Sequence, residues 1–229
     1  MAEPTLSVVV LSWNTRALTL ACLRSLFAAQ PRHPTEVLVI DNASTDGSQD
    51  AIAEQFPQAR LVRNDENRGY AAGNNQGAGL GNGRFLCLLN SDTEVGAGSL
   101  DALVDFLLEH EDYGAVAPKL TNPDGSVQLA CMRFPTLLTA LCHDTLLGRF
   151  WPGSMVERRY RMADFDHLQS RDVDQPPGAV FLVNRQEFLD LGGLDEELFL
   201  FFNDVDLCQR LWKQGRRIRY LAEVSVMHH

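Results

Sequence analysis

The sequence predicts an α/β protein built on a mostly parallel sheet with helices on both faces, and two observations carry that prediction. Short apolar, β-branched runs alternate with stretches whose apolar residues recur every three or four positions, from Leu6 to Pro118. The Gly-, Asn- and Asp-rich segments fall directly after several of those runs, where an open α/β sheet places its ligands.

Taken in order, residues 6–11 form an unbroken apolar run, the pattern of a strand buried on both faces. Leu18, Cys22, Leu23 and Leu26 share one helical face, which predicts a helix over 15–29. A second buried strand is expected at 36–40, turn chemistry at 41–47, a short helix ending at 56 and a strand at 59–63. Residues 69–81 read as a Gly/Asn-rich helical stretch and 85–89 as a fourth strand. Leu100, Leu103, Val104, Leu107 and Leu108 mark the next helix, and 114–118 the next strand. The rhythm then breaks. Residues 121–175 mix Pro, Gly, Arg and aromatics without a period and read as an excursion or mobile cover. Strands at 178–183, 217–221 and 224–228 and a helix at 204–214 complete a single domain over 1–229.

Composition bounds the function. With 229 residues, 45% hydrophobic and 22% charged, the chain is globular and large enough to bury a core. Thirty acids against twenty bases, a net charge of -10, leave no basic face for nucleic acid. An acidic protein that holds a diphosphate needs a cation or helix N-termini. The five cysteines form no C-x-x-C pair, so neither a zinc site nor a disulfide framework is expected. No basic leader and no apolar run of spanning length is seen, and a cytoplasmic location is expected.

Two strand ends carry chemistry. Asp41, within Val39-Ile40-Asp41-Asn42-Ala43-Ser44-Thr45-Asp46-Gly47, can accept from the imide N–H of a pyrimidine, whereas Asp46 reads as a helix cap. Asp92, after Leu89-Asn90-Ser91, can hold a divalent ion against a diphosphate. A strand-end histidine, His228, can approach that ion; His33, His110, His143 and His167 lack a partner pattern and read as surface residues. No P-loop or G-x-S-x-G elbow is present, and Asn82 stands where G-x-G-x-x-G needs its last glycine. Residues 134–151 are apolar and aromatic and precede Arg158, Arg159 and Arg161. That order suits a lipid-diphosphate acceptor or a peripheral membrane contact through 134–161, at the inner face of a membrane.

Seven pieces together resemble one family. They are Val8-Val9-Val10-Leu11-Ser12-Trp13-Asn14, the Asp41–Gly47 segment, Asn67-Arg68-Gly69-Tyr70-Ala71-Ala72-Gly73-Asn74-Asn75, Leu89-Asn90-Ser91-Asp92, Gly192-Gly193-Leu194-Asp195-Glu196, Asn203-Asp204-Val205-Asp206 and Val226-Met227-His228. In this order and spacing the sequence resembles the inverting glycosyltransferases of family 2, in particular their rhamnosyltransferase-like branch. The resemblance implies a GT-A fold, a Rossmann-like mixed sheet flanked by helices, with a donor half over 1–120 and an acceptor half over 121–229. It implies an enzyme that moves a sugar from a pyrimidine nucleoside-diphosphate donor, dTDP-rhamnose or a UDP-sugar, to a saccharide or lipid-linked acceptor. The cofactor would be Mn2+ or Mg2+, held by Asp92 with His228. Ser12, Asn14 and Asp41 would meet the nucleotide, with Ser91 beside the metal-binding acid, and Arg68, Gly73 and Asn74 would line the donor floor. Two positions depart from the family pattern: Asn90 replaces the first acid of Asp-x-Asp, and Asn203 replaces the Glu of a Glu-Asp pair.

Single-step inversion needs a carboxylate opposite the leaving diphosphate, and Asp204 fits that role at a helix start behind the apolar run 198–202, expected to wall off water. Asp206 points elsewhere and can pair with Arg210 one turn on. The rival from another class is a catalytically weak nucleotide- or carbohydrate-binding module on the same fold. A sugar nucleotidyltransferase is disfavoured because no basic, Gly-rich phosphate loop occurs early.

Overall fold

The computed structural model describes residues 3–142, 154–198 and 202–229. The chain opens with β1 (Leu6–Ser12), α1 (Arg16–Ala29), β2 (Thr35–Asp41), α2 (Ser48–Gln55), β3 (Arg60–Arg63) and α3 (Gly69–Leu80). It continues with β4 (Phe85–Asn90), β5 (Thr93–Val95), α4 (Ser99–Glu109) and β6 (Tyr113–Thr121). Two short helices, α5 (Leu137–Cys142) and α6 (Met155–Tyr160), precede β7 (Arg171–Asp172) and β8 (Val180–Asn184). The chain ends with α7 (Arg185–Asp190), α8 (Asn203–Lys213) and β9 (Arg217–His228).

All nine strands join one sheet in the order β3-β2-β1-β4-β8-β6-β9-β5, with β7 also on β9. The expected parallel pairing holds from β3 to β4 and again between β6 and β9. Strand β8 runs antiparallel to both β4 and β6, and β5 and β7 run antiparallel to β9, so the second half of the sheet is mixed. That reversal puts the start of β8 beside the end of β4, where Asn90 N donates to Ala179 O at 2.9 Å.

The pleat sorts the core. Leu6, Val8 and Val10 of β1 face a cluster containing Leu23 and Leu26 of α1, Ile52 of α2 and Leu103 of α4. Val9, between them, faces the opposite cluster with Ala78 of α3, Phe188 of α7 and Leu211 of α8. A strand that serves two cores has no polar face, which is why it reads as an unbroken apolar run.

Several expectations need correction. Residues 121–175 are not wholly irregular: α5, α6 and β7 lie there, each too short to impose a readable period. The strands expected at 217–221 and 224–228 are one strand whose register against β6 shifts between Pro118 and Lys119. Pro118 has no N–H to give the ladder, and the register breaks at it. His167 is not a surface residue. It is 1% exposed, accepts from Cys131 N at 3.0 Å and packs on Phe165 and Tyr220. Burial holds its imidazole below the usual histidine range.

Helix α3 has little apolar contrast because small residues form its buried face, including Ala71, Gly73, Gly77 and Ala78. A Cβ at Gly77 would lie 2.4 and 2.8 Å from the two Val9 methyls. Alanine gains about 1 kcal/mol of helix propensity over glycine, but overpacking a core costs typically 1–3 kcal/mol. Gly77→Ala should therefore lower stability in urea unfolding, and Val9→Ala in the same chain should recover part of the loss. A Gly77→Ala protein as stable as wild type would show that α3 does not seat this tightly.

Candidate active site

The end of β2 holds a carboxylate with one oxygen to spare. Asp41 is fully buried; its Oδ1 accepts from Ser44 N at 2.8 Å and Gln49 Nε2 at 2.7 Å, while Oδ2 has no partner. An unpaired buried acceptor costs roughly 1–3 kcal/mol, a cost that a ligand donor would remove. Asp46, as expected, is a cap: Oδ2 accepts from Arg16 N at 2.9 Å at the start of α1, and Oδ1 from Ser48 N at 3.0 Å at the start of α2. Asn14, left-handed at φ 52°, ties the neighbouring loop: its N donates to Ser44 Oγ and its Oδ1 accepts from Thr45 N, both at 2.8 Å. Ser12 Oγ lies 3.2 Å from Thr19 Oγ1 in the interior. Ser12 Oγ and Asn14 Oδ1 thus both have partners within the protein.

An amide network that sequence reasoning did not single out joins β2 to α3. Asn42 Nδ2 donates to Asn67 Oδ1 at 3.2 Å and Gly69 O at 3.1 Å, and Asn64 Nδ2 donates to Asn42 Oδ1 at 3.0 Å and Gln76 Oε1 at 2.9 Å. The signal was present as an excess of Asn and Gln on both sides of Arg68. Arg68 itself is exposed at the head of α3. Asn74 donates back to Tyr70 O at 3.0 Å, and Gly73 lets α3 approach Leu11, whose methyl would sit 2.4 Å from an added Cβ.

A cleft of about 270 Å³ opens beyond the ends of β1 and β4, lined among others by Trp13, Asn42, Tyr70, Asn90, Ser91 and Asp92. Thr15 and Ser91 hydroxyls meet at 3.2 Å on its wall. The pairing of β5 with β9 brings His228 to this end: Thr93 is opposite His228, and His229 N donates to Asp92 O at 2.9 Å. His228 Nε2 lies 3.4 Å from Asp92 Oδ1, an ion-pair distance without hydrogen-bond geometry, so that buried oxygen is left without a donor. Burial opposes ionisation of Asp92, but His228 when its imidazole is protonated, the backbone N–H of Asp92 and a protonated His229 outweigh it and hold the carboxyl below its ordinary value.

These two atoms suit a divalent cation. Ligands about 2.1 Å from one ion lie roughly 3.0–3.4 Å apart at adjacent corners of an octahedron or a tetrahedron. Among the described residues no third His, Cys, Asp or Glu joins them. Such a site is open and depends on outside oxygens, as a diphosphate would supply.

Asp204 lies in the first turn of α8. That helix begins after Phe202, which adopts a left-handed backbone at φ 66°, uncommon for an aromatic. Burial pushes the Asp204 carboxyl above its ordinary value, against the opposing pull of the Val205 N–H, which donates to Oδ1 at 2.9 Å. Oδ2 faces Gly178, where a Cβ would come within 2.8 Å of it. The apolar run expected to wall off this acid falls partly outside the described residues, and Phe202 is 56% exposed, so it does not seal the site. Asp206 is paired with Arg210 at 2.6 Å, as its spacing predicts. Asn203 is 2% exposed and neither its Oδ1 nor its Nδ2 has a partner.

Tyr70 lines the cleft with Asp92, and its hydroxyl lies 3.5 Å from the carbonyl oxygen of Gly178, the residue against which Asp204 is set. Its phenol is held above its ordinary value by burial first and then by the charges of Asp204 and Asp92. The resemblance covered Tyr70 but nothing in the sequence marked it. Residues 134–161 expose Leu137, Leu138 and Met155 beside arginines, and 143–153 lie outside the described residues. Among the described residues no helix is long and apolar enough to cross a membrane.

Comparison with known proteins identifies the family. The model for glycosyl transferase family 2 matches residues 7–165. The chain is 35% identical over 218 residues to the N-acetylglucosaminyl-diphospho-decaprenol L-rhamnosyltransferase of Mycobacterium tuberculosis, covering 90% of this chain and 70% of that protein. It is 33% identical over 233 residues to the O-antigen biosynthesis protein RfbC of Myxococcus xanthus, covering 99% of this chain and 17% of that protein. Among solved structures it superposes on GalNAc-T7 with UDP, GalNAc and Mn2+ at a TM-score of 0.71 and 16% identity, covering 99% of this chain and 44% of that one. It also superposes on a Pyrobaculum calidifontis mannosyltransferase in complex with GDP-Man and Mn2+, at 0.67 and 20%, covering 100% and 57%. The chain therefore spans about half the length of these solved structures. It belongs to glycosyl transferase family 2 as a rhamnosyltransferase-like member, and its fold is GT-A.

The raised value at Asp204 has a consequence for stability. The folded protein holds this proton more tightly than the unfolded chain, so the ionised carboxylate is a cost that grows as pH rises above the ordinary aspartate value. Asp204→Asn should therefore unfold at higher temperature than wild type near neutral pH, with the gap closing towards pH ~4. A mutant less stable than wild type near neutral pH would identify Asp204 as a structural cap.

Proposed function

We propose that this family 2 glycosyltransferase moves a sugar, with inversion, from a pyrimidine nucleoside-diphosphate donor to a hydroxyl of a saccharide or lipid-linked acceptor. The observation that carries the reading is two carboxylates in different settings: Asp92 lines the cleft with its Oδ1 3.4 Å from His228 Nε2, while Asp204 lies against Gly178, where burial raises its carboxyl above the ordinary value. Two acids separated in this way suit opposite tasks, one facing positive charge and one exchanging a proton. Likeness to a rhamnosyltransferase acting on a polyprenyl-diphosphate acceptor favours dTDP-rhamnose over a UDP-sugar and a lipid-linked saccharide as acceptor.

In this reading Asp41 Oδ2 accepts from the imide N–H of the base, a contact that cytosine cannot offer. Asp92 Oδ1 and His228 Nε2 would hold a Mn2+ or Mg2+ ion, which would supply positive charge against the leaving diphosphate. Asp204 Oδ2 takes the acceptor hydroxyl's proton as the new bond to the anomeric carbon forms and the bond to the diphosphate oxygen breaks. Gly178 leaves Oδ2 uncovered for that hydroxyl, since a side chain there would fill the approach. A catalytically weak binding module, the alternative suggested by Asn90, has no use for a desolvated acid at this position.

Two measurements test the assignment. Asp204→Asn keeps the shape but removes the base, so turnover should fall by roughly 10²–10⁴ while donor affinity survives; near wild-type turnover would require another base. Asp41→Asn keeps the acceptor for Ser44 and Gln49 and turns an N–H toward the base. Affinity for dTDP or UDP should drop by about 1–3 kcal/mol in calorimetry, and an unchanged affinity removes Asp41 from base recognition.

A further inference from the structure

His228 reaches the cleft with a fixed proton arrangement, and a chain of hydrogen bonds outside the cleft fixes it. The chain starts at Asp124, which accepts from Ser126 Oγ at 2.6 Å. A carboxylate can only accept, so the Ser126 proton is spent and its oxygen accepts from Asn122 Nδ2 at 2.8 Å. Asn122 must then offer its oxygen onward, and Gln128 Nε2 donates to it at 2.7 Å. The second proton of Gln128 Nε2 goes to His228 O at 2.9 Å, and a backbone carbonyl likewise can only accept. Both amide protons are assigned, so the Gln128 Oε1 that faces His228 Nδ1 at 2.9 Å is an acceptor. The neutral imidazole therefore carries its proton on Nδ1, and Nε2 presents a lone pair.

That lone pair faces Asp92 Oδ1 at 3.4 Å, an oxygen with no hydrogen-bond donor of its own. Two electron-rich atoms held face to face at this spacing suit a cation between them. We propose that Gln128 is a positioning residue: it locks His228 in the Nδ1–H tautomer and so presents Nε2 to a divalent ion shared with Asp92. The proposal rests on the metal assignment above and adds to it the residue that makes His228 a ligand. Gln128 has no place in the seven family-like segments and does not line the cleft. It is anchored independently, its N donating to Leu120 O at 2.9 Å just after the turn that ends β6. Second-shell partners that orient a histidine ligand typically change metal affinity 10–100-fold when removed.

The test uses the full chain with Mn2+ as probe, in the presence of UDP, at pH ~8, above the ordinary imidazole value. Nitrogen NMR of histidine-labelled, EDTA-treated protein reads the tautomer, the His228 signals being those lost in His228→Ala. Wild type should show a protonated Nδ1 and a bare Nε2. Gln128→Leu should shift His228 towards the Nε2–H form and weaken Mn2+ binding about tenfold or more. Gln128→Glu keeps an acceptor for Nδ1–H but loses the donations to Asn122 and His228 O, so tautomer and Mn2+ affinity should be retained. Gln128→Leu with wild-type tautomer and affinity would overturn the proposal. So would Gln128→Glu failing as badly as Gln128→Leu, because the role would then be purely structural. If His228→Ala leaves Mn2+ affinity intact, the metal assignment itself fails, and the inference built on it fails with it.

Discussion

Strand β9 is the element on which the site depends. It pairs in parallel with β6 along most of its length and antiparallel with β5 at its end, and the second pairing puts His228 opposite Thr93. Asp92, one residue before β5, is thereby held against a histidine far away in the chain. A three-residue strand has little stability alone; it exists because β9 supplies its ladder and α1 packs over it. The polar centre of the cleft is consequently as rigid as the sheet edge that carries it.

The same sheet explains how two acids acquire opposite characters within one cleft. Asp92 sits at a strand end among imidazoles and stays ionised, while Asp204 enters from a helix on the other face of the sheet and is desolvated. The reversal of β8 allows this. Its start returns beside the end of β4 through Asn90 and Ala179, and the preceding Gly178 leaves room for Asp204. A wholly parallel sheet would need a crossover at this point and would not bring Asp204 towards the ends of β1 and β4.

Several polar groups of the candidate site residues are left unpartnered among the described residues: Asp41 Oδ2, Asp92 Oδ1 and, beside Asp204, both polar atoms of Asn203 are buried without partners. Buried polar atoms are normally paired, and those that are not mark stored cost at functional positions. By contrast Ser12, Asn14 and Asn74, which the family resemblance assigns to the donor, each make a side-chain hydrogen bond within the protein.

The sequence by itself determined the elements of residues 6–118. Strands β1, β2 and β4 are buried on both faces and amphipathic helices cover them, so period and composition reveal the elements one at a time. Strand-end position also sufficed to pick out Asp41, Asp46 and Asp92, because turn and cap chemistry is local. Only the tertiary structure decided the rest. The merging of 217–228 into one strand, the burial of His167, the approach of Tyr70 to Gly178 and the link from Gln128 to His228 all depend on register between distant segments. Register is set by which faces a whole sheet must bury, and no local pattern of residues records it.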